Sequence, residues 1–254
     1  AGLRAVRRAA ILASTSSTTR WDIDMKKSLL KQALISAVAA AAACAPALSQ
    51  AAAVQFSNWA FGSGGAVTVN VPAAGHAVSA GAFKGSVNFD AAEEAQGWVD
   101  RMGDSFVSYC VELSETFGFG STPMTGYAVM SAAAYGWSTA RADSIGKLMS
   151  YVAADPARVD TAAESTSLQL ALWNLVYDTD ATVLGGSFEE SSGAAADAYA
   201  NTLLGGFAGT ANRYEVYVLA KQGSQDFLLL RDKRDDRQVP EPASLALAFG
   251  ALGL

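Results

Sequence analysis

Residues 164–177, ESTSLQLALWNLVY, decide how the fold is read. Leu168, Leu172, Leu175 and Val176 recur at helical spacing and make one apolar stripe, with Gln169 and Trp173 beside it four residues apart. Weaker helical patterns flank this segment at 144–152 and at 191–204, where Gly205-Gly206 follows. The alanine-rich stretch 127–137 opens this middle region. Further out the period changes to two. Val67-Thr68-Val69-Asn70-Val71 alternates apolar and polar residues, and 54–61, 76–83 and 85–89 continue in the same style. Residues 106–113, FVSYCVEL, put Phe106, Ser108 and Cys110 on one face and Val107, Tyr109 and Val111 on the other. Beyond the helices, 214–220 and 227–230 read as strands joined by a Lys221-Gln222-Gly223-Ser224 turn. Strands, then helices, then strands predict an α+β domain over 52–230: an antiparallel β sandwich or barrel-like sheet with an inserted helical subdomain.

The flanks have a different character. Residues 1–24 carry four arginines before Met25 and read as an upstream, non-native or fragment extension. From Met25 the sequence has a basic start (Lys26, Lys27, Lys31), an alanine-rich apolar run over 33–43, and small residues suited to cleavage at 47–49 or 49–51. About a dozen apolar residues are too few for a bilayer core that needs about 20, so 25–51 reads as a removable signal peptide. Acylation of Cys44 is the alternative, though Ala41-Ala42-Ala43 is a poor box for it. At the other end, 231–238 (RDKRDDRQ) is charged throughout and reads as a solvated linker.

Within 52–230, 7 Lys and Arg stand against 18 Asp and Glu, a net charge of −11. Such a module has too few cations to bind nucleic acid by neutralising phosphates, and anionic lipid repels it. With Cys44 lost to the signal peptide, Cys110 is the one cysteine left, so no internal disulfide can form. An exported thiol without a partner must be buried, paired with another molecule, or chemically committed.

Residues 239–254 begin Val239-Pro240-Glu241-Pro242-Ala243-Ser244 and end in a short apolar run. The prolines stop a helix from extending back through them, and 12 apolar residues span about 18 Å, short of a bilayer core of roughly 30 Å. This segment resembles the PEP-CTERM sorting tails, in which Val-Pro-Glu-Pro precedes a hydrophobic stretch and an arginine cluster; the cluster is missing, which reads as a truncated tail. The resemblance implies processing by an exosortase-type enzyme, transient inner-membrane association through the tail, and delivery to the cell surface or extracellular matrix.

Two internal segments stand out together: Ser108-Tyr109-Cys110-Val111-Glu112-Leu113, and Ser167-Leu168-Gln169-Leu170-Ala171-Leu172-Trp173. They resemble the paired motifs of bacterial Cys-Gln (TQXA-type) thioester domains, a Tyr-Cys-[Val/Ile]-Asp strand facing a Thr-Gln-x-Ala-[Ile]-Trp helix. The resemblance implies that the Cys110 thiolate attacks the Gln169 carboxamide, expels ammonia and leaves an internal thioester that later acylates a target, with Tyr109, Glu112 and Trp173 around it. Glu112 stands where the family has Asp, and Leu168 where it has Thr. A thiolate is the best protein nucleophile at neutral pH, and a carboxamide reacts only when the fold holds it at near-attack distance.

Other candidates are weaker. His76, the single histidine, has no protease signature around it to make a dyad with Cys110 and reads as structural. Asp178 and Asp180 lack the spacing of a calcium loop, and one histidine with one remaining cysteine cannot make a zinc cluster, so no metal or cofactor is expected. Glu93-Glu94 and Glu189-Glu190 read as solvated helix starts, and Gly62-Ser63-Gly64-Gly65 precedes a strand, so it cradles no phosphate. The expectation is a non-enzymatic adhesion module whose partner is extracellular polysaccharide or surface amine or hydroxyl groups. A passive matrix protein without the bond is the alternative, and a secreted hydrolase a third reading that lacks a nucleophile–base–acid set.

Overall fold

The computed structural model describes residues 52–94 and 96–233. The readings placed on 1–51 and on 239–254, including Val239, Pro240, Glu241 and Pro242, lie outside the described residues, as does most of the 231–238 linker.

Among the described residues the strands are β1 (Ala52–Trp59), β2 (Gly65–Val69), β3 (His76–Ala80), β4 (Phe83–Asn88), β5 (Arg101–Met102), β6 (Ser105–Ser108), β7 (Met124–Ser131), β8 (Tyr214–Lys221) and β9 (Ser224–Asp232). The helices are the short α1 (Ala91–Glu94), then α2 (Thr139–Ala153), α3 (Ala162–Tyr177) and α4 (Asp197–Gly206). Seven strands pair antiparallel in the order β5-β6-β4-β1-β7-β8-β9, while β2 and β3 form a separate hairpin. The fold is α+β. Isolated bridges Trp98↔Arg231 and Cys110↔Phe227 join the chain around β5 and β6 to β9, so the sheet is barrel-like without closing into a barrel.

The sheet encloses an aromatic core. Phe227 is fully buried, with ring centroids 4.7 Å from Phe56, 5.2 Å from Phe117 and 5.8 Å from Tyr127. Such pairs add directional energy to the burial of large apolar surfaces.

Helix α3 starts earlier than its apolar stripe indicates. Thr161 accepts from the Glu164 N–H and Glu164 accepts from the Thr161 N–H, a capping box that satisfies two otherwise orphaned donors. Nor is α3 amphipathic in place, since every residue from Ser165 to Val176 is buried. Its polar side chains hold neighbouring main chain instead. Ser165 Oγ accepts from the Ala82 N–H at 2.8 Å, Thr166 Oγ1 accepts from Gly65 N–H at 3.1 Å, and Asn174 Nδ2 donates to Thr182 O at 2.7 Å. Loop and strand-edge groups without ladder partners thus find them on the helix, as buried backbone must.

The structure adds to three of these readings. In the alanine-rich 127–137 stretch, β7 occupies the first half, pairing with β8 from Ala128↔Ala220 to Ser131↔Tyr217, and Ala132, Ala133 and Ala134 follow it in a turn. Helix α4 begins at Asp197, because residues 191–196 are held outside it by Glu190, described below. β9 runs two residues past 230: Arg231 pairs with Glu215, and Arg213 Nε donates to the buried Asp232 at 2.7 Å.

Candidate functional site

Cys110 follows β6, where pairing with β9 narrows to single bonds. Leu228 N–H donates to Tyr109 O at 2.9 Å and Val111 N–H donates to Asp226 O at 3.1 Å, flanking the Cys110↔Phe227 bridge. In such an antiparallel pair the N–H and C=O of the middle residue point away from the partner strand. Gln169 meets them. Its Oε1 accepts from the Cys110 N–H at 3.0 Å, and its Nε2 donates to the Cys110 carbonyl at 2.8 Å. One carboxamide from α3 therefore replaces the missing neighbouring strand, at 0% exposure for Gln169 and 5% for Cys110.

The same docking has chemical content. The carboxamide carbon is held against the residue that carries the thiol, and its oxygen already receives an N–H of the kind that stabilises a tetrahedral oxyanion. The thiol itself is protonated, because burial, followed by the nearby Glu112 charge, pushes Cys110 well above the ordinary cysteine value.

Cys110 lines a cavity of about 720 Å³. Its walls are aromatic, formed by Trp59, Phe83, Phe117 and Phe119, and Trp173 also lines it. Phe119 is 41% exposed at the rim, its ring 5.3 Å from that of Trp59. Glu112 faces this space half-buried. Its Oε2 accepts from Ser114 N–H and Oγ at 2.6 Å each and from Glu115 N–H at 2.9 Å, while its Oε1 accepts from Gln225 Nε2 at 2.7 Å. Burial still raises it above the usual carboxylate value. Tyr109 is buried beside Ser165, and burial raises its phenol. Leu168 is a buried core residue.

Residues outside the two motif segments also hold the chain after Cys110. Gln225, which lines the cavity and whose Nε2 also donates to Glu112 O at 3.0 Å, ties that chain to the start of β9. The Tyr177 hydroxyl accepts from Leu113 N–H at 2.9 Å. Position four turns of helix from the capping box gave no hint of that bond. His76, read as structural, lines the cavity as well. Among the described residues no group of His, Cys, Asp and Glu is arranged to hold a metal ion, and no helix is long and apolar enough to cross a membrane. Asp178 instead closes its own loop, accepting from the N–H groups of Ser187 and Phe188.

Glu190 is not a solvated helix start. It is buried, and accepts from the N–H groups of Thr68 (3.2 Å), Ser192 (2.9 Å), Gly193 (3.1 Å) and Ala194 (3.3 Å) and from the Ser192 hydroxyl. Burial opposes its charge, but the Ser192 hydroxyl and these backbone donors hold it below the ordinary value. Asp197, 6% exposed, lies beside it, and burial followed by hydrogen bonding to Glu190 pushes Asp197 up to about 6. A carboxyl raised on folding contributes its stability below the unfolded pKa and loses it as pH rises through the folded one. Asp197 therefore destabilises the domain as pH rises from 4 to 7. Asp197→Asn, which keeps a donor toward Glu190, should remove that loss. The expected gain at pH 7.5 is about 1–2 kcal/mol, reduced from the full linkage value by solvent screening. Melting temperatures at pH 4.5 and 7.5 check this, and an equal pH response in wild type and variant would refute it.

Compared with family models, characterised proteins and solved structures, the chain shows no match to any of them.

Proposed function

We propose that this chain is an exported cell-surface or exopolysaccharide-matrix protein, sorted by its C-terminal tail through an exosortase-type enzyme, whose described domain is an adhesion module with a Cys110–Gln169 thioester. The observation that supports this is the carboxamide of Gln169 docked on Cys110 through both of its polar atoms. Forming the bond joins Sγ to the carboxamide carbon, breaks the carbon–nitrogen bond and sends the thiol proton out with ammonia. The module then acts once, as a stoichiometric acylating agent toward a polysaccharide or another surface carrying amines or hydroxyls, and does not turn over as an enzyme.

A second reading has its own support. Both polar atoms of the buried Gln169 amide are satisfied and the Cys110 thiol is held protonated, as in a purely structural tie within a passive matrix protein. Intact mass decides between the two. The thioester predicts a chain one ammonia lighter than its sequence, with full mass restored in Cys110→Ala and a methylamine adduct at Gln169 after incubation with that amine. A wild-type chain of full mass, whose Cys110 thiol labels quantitatively on unfolding, would leave the passive reading standing.

A further inference from the structure

β2 and β3 form a hairpin outside the main sheet, and the described residues cover only its β2 edge. There the chain at 189–191 runs alongside. Asn70 N–H donates to Glu189 O at 3.1 Å and Ser191 N–H donates to Thr68 O at 2.8 Å, flanking the Val69↔Glu190 bridge. Thr68 and Asn70 thus aim their main-chain groups at 189–191. By the alternation of a strand, Val67 and Val69 aim theirs at Val78 and His76 of β3. Ala77 and Ser79 therefore turn their N–H and C=O groups away from β2. Both residues are exposed, and among the described residues no main-chain group pairs with them on that side. The usual guards of an edge are absent: His76-Ala77-Val78-Ser79-Ala80 has no proline or lysine, and its register with β2 is unbroken by a bulge. His76, Ala77, Val78 and Ser79 also line the cavity, as do Phe117, Phe119, Glu112 and Glu115. The Gly223 N–H donates to Glu115 Oε1 at 2.9 Å and holds that carboxylate in place, and no Lys or Arg lines the space.

We propose that β3 accepts an extended, basic segment of a partner protein as an added strand. This goes beyond the thioester and holds whether or not that bond forms. Ala77 and Ser79 are two residues apart, so their outward groups repeat at roughly 6.8 Å, a spacing that an extended polypeptide shares. An added strand can engage both N–H and both C=O groups at once. A sugar chain has no ladder of amides and carbonyls to match them, which favours a peptide. The sign of its charge follows from the cavity. Glu112 and Glu115 line it without a cation, and 52–230 carries a net charge of −11, so lysine and arginine are attracted and acidic side chains repelled. Phe117 and the 41% exposed Phe119 give apolar side chains of the same segment a surface to cover. A second copy of this chain could present a strand too, but it brings the same negative charge.

The test titrates the full chain with an acetylated, amidated Lys-Val-Lys-Val-Lys-Val-Lys peptide, which is basic and readily extended. Binding should protect the Ala77 and Ser79 amides from hydrogen exchange, since those groups gain partners. Replacing every lysine of the peptide by glutamate should weaken binding about tenfold or more, and so should Ser79→Pro in the chain. The Ser79 N–H turns away from β2, so proline there keeps the hairpin and removes a donor from its open edge. Absence of binding, unchanged exchange at Ala77 and Ser79 in the complex, equal affinity for the two peptides, or undiminished binding by a folded Ser79→Pro chain would each overturn the proposal. So would a wild-type dimer that Ser79→Pro makes monomeric, because the occupant is then a second copy. Protection of the same amides by cellotetraose in place of the peptide would overturn it in favour of a sugar chain. Should Ser79→Pro not fold, hydrogen exchange in the wild type with the two peptides still decides. None of these readouts depends on the ammonia mass deficit, so loss of the thioester reading leaves this one to stand or fall by itself.

Discussion

Gln169→Ala is expected to lower the stability of the domain by about 3–5 kcal/mol, a large part of the 5–15 kcal/mol typical of a domain. The substitution removes two hydrogen bonds at once, and both lost partners are main-chain groups of a residue buried against β9. Water does not reach them, so each carries a desolvation penalty of about 1–3 kcal/mol, and the emptied volume inside an all-buried helix adds to it. Cys110→Ala is the informative comparison. It leaves the main chain and both bonds to Gln169 in place and removes a small buried thiol, for which about 1 kcal/mol is expected. Both variants abolish a thioester equally. A chemical role alone would make their denaturation midpoints alike, whereas the geometry requires Gln169→Ala to unfold at much lower urea with an unchanged slope. Gln169→Glu separates the roles further. Its carboxylate can accept from the Cys110 N–H but turns a second negative oxygen toward the Cys110 carbonyl, so this variant should recover stability in acid as that oxygen gains a proton. Midpoints for Gln169→Ala and Cys110→Ala that agree within error would refute the strand-replacing role of the amide.

How far the site could be read from sequence follows from the range of its contacts. α3 was legible because its signal is local, leucines at helical spacing, although the Thr161–Glu164 capping box that starts it earlier was not read. That the same helix is buried on every face was not legible, since Ser165, Thr166 and Asn174 look polar and their partners lie on distant loops. Cys110 and Gln169 are 59 residues apart, and nothing in periodicity or composition joins them; their pairing entered through resemblance to a motif pair. Strand β7 was not legible because its apolar and polar residues do not alternate cleanly, and its place is fixed by distant ladders with β1 and β8. The place of His76 was hidden for a related reason: a lone histidine in a strand has no local signature, and only the packing of the β2–β3 hairpin brings it to the cavity. Glu190 was misread because its partners are backbone donors, which every residue but proline has, so sequence does not mark them.

The sheet that carries this site has a point of low tolerance at Gly85, in the middle of β4. It pairs with Phe56 of β1 on one side and Phe106 of β6 on the other. A Cβ there would collide with the Gln55 carbonyl oxygen and lie 2.8 Å from the Phe56 Cα. Both obstacles are backbone, beside the irregular register of β1 between Phe56 and Asn58, so no side chain can swing aside. Relief requires β1 and β4 to separate, which loosens central pairing and shifts Phe83, a wall of the cavity. Gly85→Ala should therefore cost about 3–4 kcal/mol, against a change within about 0.5 kcal/mol for Gly209→Ala, where a Cβ meets nothing within 4 Å. Thermal melts of the two variants beside wild type measure the difference. Because the collision lies on the β1 side and Cys110 is held by β9 and α3, the fraction of Gly85→Ala that folds should keep the wild-type intact mass. A Gly85→Ala chain that melts with wild type would mean that β1 and β4 part at little cost, and that the sheet is not what keeps the cavity in shape.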